Sequence, residues 1–246
     1  MSDLLARLLA AARLDGPVAD VRVGAHWTLV AAQTPRGKCG GLASTQIRHD
    51  TEHGHATVRE AGQLIGKPAR DLAGWVDSES ATERSVGFAA LNALIEVDEA
   101  RCKLMNAEEL IIERGAGKHV ALVGHFPFTE RVRAAVGRLS VLEINPQPGD
   151  LPASSAPHVI PQADVVAITG MTLVNGSFES LVALRQPGAF VLLLGATTPL
   201  SPVLFDFGVD GISGTIVDDI ALAAAAVSQG ASFRQIKGKR LVTMLK

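Results

Sequence analysis

The sequence lacks tyrosine entirely and contains only two cysteines, two tryptophans and eight phenylalanines in 246 residues. Cys39 and Cys102 lie far apart, which excludes a CxxC redox pair and a four-thiolate zinc site within the chain. Sparse, unpaired cysteine is typical of a reducing compartment, so we expect a cytoplasmic protein.

A strong charge excess and a long apolar run are also missing. The net charge is −2, and the only dense basic stretch, Lys237 to Arg240, is expected to be a solvated end. Without a basic surface, we expect no nucleic-acid partner. No segment has the roughly 20 uninterrupted apolar residues that cross a bilayer, so we expect no membrane partner.

The first residues carry a leucine pattern of helical spacing. Leu4, Leu5, Leu8 and Leu9 recur on one face, and charged residues interrupt the run before it resembles a signal peptide. This predicts an amphipathic first helix. Its apolar face would be a homodimer surface if the helix does not pack internally.

The pattern changes near residue 107 and predicts two domains. Residues 1–106 read as a helix, a small antiparallel sheet and two further helices, which is an α+β domain. Residues 107–246 contain five short apolar strands, HVALVG, LSVLEI, DVVAIT, AFVLLLG and GVDGIS. Helices are predicted between and after these strands, at 130–137, 175–184, 199–207 and 218–228. This alternation predicts a Rossmann-like parallel sheet with helices on both faces.

Ligands of open parallel sheets bind beyond the carboxyl ends of the strands. The first strand ends at Gly124, His125 and Phe126. This turn is not the GxGxxG pattern, which argues against NAD or FAD as cofactor. His125 is the best single candidate for chemistry, because an imidazole can act as acid, base or metal ligand.

The second strand ends at Glu143, nineteen positions after Gly124, an offset at which a carboxylate can contact a ribose. The alternative is a strand-end carboxylate that accepts from a nearby backbone N–H. Residues 145–150 follow as a proline-containing loop that could hold Glu143 and Asp150 in place. We predict His125 and Glu143 as catalytic or metal-binding residues.

Two further strand ends are rich in hydroxyl, amide and glycine groups. The N-terminus of a helix that begins at such a loop can bind a carboxylate or phosphate of a ligand. The alternative is that these polar residues only cap the helix and bind no ligand. The predicted ligand-binding residues are Gly124, Phe126, Thr169, Gly170, Thr172, Asn175, Gly195, Thr197 and Thr198.

Two other parts of the sequence contain residue types that can bind a metal. The segment 49–55, HDTEHGH, offers three imidazoles and two carboxylates, but its spacing is not that of HExxH and a polar loop is the alternative. Cys39 could supply a thiolate, or could be a small buried residue. The GxSxG, P-loop and kinase motifs are absent, so no reaction follows from the sequence.

The ordered strings GHFPF, LEINPQPGD, PQADVVAITGMTLVNGSFESLV and LLGATTPLSPVLFDFGVDGISG resemble the heavy-metal-chelation domain family. Upstream, GGLAST and SVGFAALNAL resemble the companion domain of that family, whose fold is similar to the enolase N-terminal domain. The resemblance covers nearly the whole chain. It implies a two-domain protein with a Rossmann-like C-terminal domain and a divalent transition metal, and it supplies no catalytic residues.

Three functions are compatible with these observations. The first is a protein that binds or processes a metal or metal chelate in a cleft between the domains, at the strand ends. The second is an enzyme acting on a nucleoside-containing ligand such as S-adenosylmethionine, with Glu143 on the ribose. The third is a non-catalytic sensor of a small anion, whose binding would not depend on His125.

Overall fold

The computed structural model describes residues 1–47 and 57–246. The segment 49–55, with its alternative predictions of a metal role and a polar loop, lies outside the described residues. None of the described helices combines the length and apolar character that crossing a bilayer requires.

The described residues form short helices and strands throughout. The helices are α1 (Asp3–Ala11), α2 (Ala69–Ala73), α3 (Ala81–Leu94), α4 (Ala107–Gly115), α5 (Thr129–Ala135), α6 (Ala156–Val159), α7 (Met171–Val174), α8 (Phe178–Ala183), α9 (Val203–Asp206) and α10 (Ile220–Ser228). The strands are β1 (Val18–Val23), β2 (Trp27–Thr34), β3 (Gly37–Ser44), β4 (Cys102–Lys103), β5 (His119–Val123), β6 (Arg138–Glu143), β7 (Leu151–Pro152), β8 (Val165–Thr169), β9 (Phe190–Leu194), β10 (Gly211–Val217) and β11 (Lys239–Leu245).

The chain packs as two compact units, and each unit is discontinuous in sequence. Unit 1 comprises Met1–Asp98, Ala196–Val203 and Gly214–Leu241. Unit 2 comprises Glu99–Gly195, Leu204–Ser213 and Val242–Lys246. Two stretches beyond residue 106 therefore pack with the N-terminal part of the chain.

Unit 1 is built on the antiparallel sheet β1-β2-β3. Helix α3 lies close to β3, because a Cβ on Gly41 would stand 2.2 Å from the carbonyl oxygen of Ala89. The first helix is capped by Ser2 and buries Leu4 and Leu8, as its amphipathic pattern predicts. Since this apolar face packs within the unit, it no longer provides an argument for a homodimer.

The larger sheet has the order β4-β11-β10-β9-β8-β5-β6-β7. The pairs β6/β7, β5/β6, β5/β8, β8/β9 and β9/β10 are parallel, and β4/β11 is antiparallel. The apolar residues of β5, β8 and β9 are almost fully buried, which confirms the predicted mixed α/β fold with a mostly parallel sheet.

Several local predictions are wrong. The residues from Lys239 onward form β11 rather than a solvated end, and Val242 and Met244 are buried. The helix predicted at 175–184 is the shorter α8, Phe178–Ala183, and the sequence missed α7, Met171–Val174, which precedes it with Gly176 at φ +77° between the two. The helix predicted at 199–207 is a single turn, Val203–Asp206.

Candidate functional site

The centre of the larger sheet contains a point where the strand order reverses. From β5 the chain proceeds to β6 and β7 on one side, and later to β8, β9 and β10 on the other. This is the order of doubly wound nucleotide-binding sheets, in which loops after the two central strands diverge and leave a crevice. Here those loops follow β5 and β8, and both belong to unit 2.

The two loops approach each other at Gly124 and Thr169. Gly124 has φ +102°, and a Cβ on it would stand 3.2 Å from the Cβ and Cγ2 atoms of Thr169. Its N–H donates to the carbonyl of Leu142 at 2.9 Å, which continues the β5/β6 pairing by one residue. The positive φ therefore favours glycine at this position, and the close approach to Thr169 leaves little room for a Cβ.

Glu143 holds the turn that carries His125. The backbone N–H of His125 donates to Glu143 Oε2 at 2.9 Å. The N–H groups of Ile144 and Asn145 donate to Oε1 at 2.7 and 3.3 Å. Both carboxylate oxygens are thus occupied by backbone donors, the arrangement expected of the strand-end alternative. A catalytic or metal-binding role for Glu143 stays a prediction.

A buried carboxylate orients the imidazole of His125. Asp150 Oδ2 lies 2.9 Å from His125 Nδ1 and accepts from the Gln147 N–H at 3.0 Å. The Asp150 side chain is fully buried, while that of His125 is 24% exposed. Because a carboxylate accepts at Nδ1, the proton of neutral imidazole lies there and Nε2 presents its lone pair. Among the described residues, His125 Nε2 has no hydrogen-bond partner.

The second oxygen of Asp150 is the unusual feature of this pair. Oδ1 is buried and makes no hydrogen bond to any described residue. A buried carboxylate oxygen without a donor is costly, by roughly 1–3 kcal/mol. A cation bound at His125 Nε2 would place positive charge on the ring beside this carboxylate and offset part of that cost.

Phe126 and the start of α5 complete the first loop. The Phe126 N–H donates to Thr129 Oγ1 at 3.0 Å, and the ring stacks on that of Phe128 at 5.0 Å between centroids. Both rings are partly buried and pack against the core of unit 2.

The polar residues after β8 bond mainly to one another. Thr172 Oγ1 donates to the Thr169 carbonyl at 2.7 Å, and Asn175 Oδ1 accepts from the N–H and hydroxyl of Ser177. The Gly170 N–H donates to the Leu194 carbonyl at 2.7 Å. Neither α7 nor α8 has a side-chain cap hydrogen bond, so these bonds hold the loop locally. Ligand binding by Thr169, Gly170, Thr172 and Asn175 stays a prediction.

The residues after β9 pack within unit 1. Thr197 and Thr198 are each 2% exposed, and Thr197 Oγ1 accepts from the Ser44 N–H at 2.9 Å. Asn92 Nδ2 donates to the carbonyls of Ala196 and Thr197 at 3.3 and 3.2 Å. Gly195 itself belongs to unit 2 and has φ +111°. The predicted ligand-binding residues are therefore divided between the two units. A ligand role for Gly195, Thr197 and Thr198 stays a prediction.

The structure describes no complete cage of protein metal ligands. Within residues 1–47 and 57–246, no group of three or more His, Cys, Asp or Glu side chains is placed to hold a metal ion. Cys39 lies on β3 with its Sγ 3.4 Å from Thr34 Oγ1 and is half-buried. Its role as a metal ligand stays a prediction.

Sequence reasoning missed the pairing of Asp150 with His125. The signal was present in the proline-containing loop, where Gly149 adopts φ +92° and brings Asp150 back toward β6. It also missed Asn92, a helical amide among apolar residues of α3 that ties β3 to the stretch after β9.

Comparisons with known proteins agree along the whole chain. The family models matching residues 106–246 and 6–95 carry the same description, "Putative heavy-metal chelation". An uncharacterised protein of Methanocaldococcus jannaschii is 26% identical over 94% of this chain and 90% of its own length.

Two crystal structures of DUF364-family proteins of unknown function are also similar. The protein from Desulfitobacterium hafniense has a TM-score of 0.83 and 27% identity, over 99% of this chain and 97% of that chain. The protein from Pyrococcus horikoshii has a TM-score of 0.82 and 20% identity, over 99% of this chain and 100% of that chain, and supports the fold alone. Together with the match over residues 106–246, these findings show that the chain belongs to the DUF364 family.

Proposed function

We propose that this protein binds a divalent transition metal that is already held by a chelating small molecule, with His125 Nε2 as the protein's ligand to the metal. The observation that carries the proposal is the His125–Asp150 pair at the strand-order reversal. Imidazole is a good ligand for nickel, cobalt, iron and zinc. A carboxylate on the other ring nitrogen is the usual outer partner of a metal-bound histidine.

The donor set explains why a chelate is proposed rather than a free ion. A single imidazole does not hold a divalent metal tightly. The described residues contain no group of three His, Cys, Asp or Glu side chains that could complete the coordination. A chelate supplies the remaining donors itself. Phe126, the next residue after His125, is partly buried, so its exposed part is an apolar surface close in sequence to the proposed metal ligand. The description shared by both family models, heavy-metal chelation, points to the same class of ligand.

Within this proposal, each residue has a physical task. Asp150 fixes the tautomer and orientation of His125, and its buried charge strengthens the imidazole as a donor. Glu143 fixes the backbone of the same residue. Gly124 allows the turn to lie against Thr169.

Calorimetry of the full, tag-free chain with nickel nitrilotriacetate tests the proposal, since that chelate leaves coordination positions open. The background should carry Ala at His49, His53 and His55, because three imidazoles within seven residues capture such a chelate by themselves. We expect His125→Ala to abolish binding and Asp150→Asn to weaken it about tenfold to a hundredfold.

The matched control is His158→Ala, an exposed histidine on α6, which should leave the affinity unchanged. Nickel ethylenediaminetetraacetate, whose metal is fully coordinated, should not bind. Equal binding by the background chain and by its His125→Ala variant would overturn the proposal.

A nucleoside-containing ligand such as S-adenosylmethionine is the second candidate, favoured by the strand order alone. We place it second because both oxygens of Glu143, the expected ribose acceptor, already bond to backbone N–H groups. Calorimetry with S-adenosylmethionine separates the two: binding that survives His125→Ala supports the nucleoside.

A further inference from the structure

Unit 2 has a concave surface at the amino ends of its parallel strands. A groove of about 650 Å3 is lined by Val165 and Phe190, the first residues of β8 and β9. Lys118 and Asp210, which immediately precede β5 and β10, also line it. The groove therefore lies at the amino ends of the parallel strands, whereas His125 follows the carboxyl end of β5.

Cationic side chains predominate in this groove. Arg114, Lys118, Arg185 and Lys246 line it together with two carboxylates, Asp164 and Asp210. This is a local positive excess in a chain whose net charge is −2. All four cationic residues are exposed, so an incoming anion reaches them without displacing the core.

The two carboxylates have structural tasks of their own. Asp164 Oδ2 accepts from the His119 N–H at 2.9 Å, at the start of β5. Asp210 Oδ2 accepts from the Val191 N–H at 2.9 Å, at the start of β9. These bonds hold the strand ends but do not remove the carboxylate charges, so the groove has four cationic and two anionic side chains. Arg114 also pairs with Glu113 at 3.9 Å, whereas the ion pairs among the described residues do not include Lys118, Arg185 or Lys246.

Two arginines of the groove are held in place by neighbouring groups. The Arg114 guanidinium lies 4.9 Å from the centroid of the Phe190 ring. Arg185 Nη1 donates to the Val182 carbonyl at 2.9 Å, and a Cβ on Gly208 would stand 2.7 Å from Nη2. Glycine at 208, with φ +85°, therefore leaves the space in which this guanidinium rests. Pre-ordered guanidinium groups bind phosphate oxygens bidentately at a low entropic cost.

We propose that this groove is a binding site for a small organic anion carrying a diphosphate or triphosphate group. Four cations spread over one groove match an anion with several linked charges better than a single phosphate. The volume is that of a small-molecule site. The four cationic side chains lie within this one groove in a chain of net charge −2, which favours a small molecule over nucleic acid. The proposal goes beyond the metal-chelate function and does not depend on it.

Inorganic tripolyphosphate is the probe, titrated calorimetrically into the full chain at about 0.15 M salt, where exposed charges are partly screened. We expect one site per chain, with orthophosphate binding at least tenfold more weakly. Lys118→Gln combined with Arg185→Gln should lower tripolyphosphate affinity at least tenfold. Lys118→Gln alone, at an exposed position, should weaken it measurably without affecting the fold.

The matched control is Arg22→Gln combined with Lys38→Gln, the same charge change on exposed residues of unit 1. It should change the affinity less than twofold, and His125→Ala should leave it unchanged. Absence of tripolyphosphate binding, or an equal loss in groove and control variants, would overturn the proposal. So would tighter binding of a single-stranded oligonucleotide through the same four residues.

Discussion

Replacing Glu143 by Gln separates a positioning role from a direct ligand role. The carboxylate accepts three backbone hydrogen bonds, from His125 at 2.9 Å, Ile144 at 2.7 Å and Asn145 at 3.3 Å. In glutamine, one of the two carboxylate oxygens is replaced by an NH2 group. At least one of the three backbone N–H groups then faces a donor and loses its hydrogen bond. Hydrogen bonds to charged groups contribute about 1.5–3 kcal/mol, and two of these bonds are exposed to solvent. We therefore expect Glu143→Gln to lower the free energy of unfolding by about 2 kcal/mol.

Urea denaturation in the absence of ligand measures this loss. With a slope of about 3 kcal/mol per molar urea, the unfolding midpoint should fall by about 0.7 M. The matched control is Glu130→Gln on α5, whose side chain is 76% exposed and should change stability by less than about 0.5 kcal/mol. Loosening the His125 turn should also weaken nickel nitrilotriacetate binding about tenfold. A variant as stable as the control that nevertheless lost all chelate binding would refute the reasoning and make Glu143 a ligand.

Two further predictions concern acid stability and glycine. The pKa of Glu83 is lowered from 4.5 to about 2, chiefly because Arg59 donates hydrogen bonds to it. The ionised carboxylate therefore stabilises the fold above pH 4.5, and this contribution, about 2 kcal/mol after solvent screening of Arg59, is lost as the pH falls toward 2. Glu83→Gln should flatten the pH dependence of unfolding in that range, and an unchanged profile would count against the ion pair. Gly124→Ala should cost about 2–4 kcal/mol in urea denaturation, through backbone strain plus contact with Thr169. Gly195→Ala, with φ +111° and no described atom within 4 Å of its Cβ, should cost only the strain, so equal losses would contradict the close approach.

The parallel core of the larger sheet could be predicted because its strands are buried on both faces. Their sequences, such as VALV in β5 and VLLL in β9, are continuous apolar runs that no surface strand would carry. Strand β11 was harder, since KRLVTML mixes buried and exposed positions and begins with two cations. Its place in the sheet depends on long-range contacts, including the 2.7 Å bond between the hydroxyls of Ser213 and Thr243.

The break between α7 and α8 shows a different limit of sequence reasoning. The sequence predicts a helix from Asn175, and α8 begins at Phe178 without a side-chain cap hydrogen bond. The sequence pattern does not reveal that another helix, α7, precedes it. Met171 to Val174 forms that turn because Thr169 and Thr172 bond to it locally, and Gly176 then reverses the backbone.

His125 was predictable from position alone, whereas its partner was not. An imidazole directly after the first strand of a parallel sheet lies at the edge where ligands bind, whatever the rest of the fold does. Asp150 lies 25 residues later, before a two-residue strand that pairs only with the last residues of β6. Its carboxylate is buried beside His125 because β6 returns next to β5 and the loop with Gly149 folds back over that edge. The sequence therefore placed His125 at the strand end, and the pairing with Asp150 in the structure assigns the imidazole a tautomer in which Nε2 carries the lone pair.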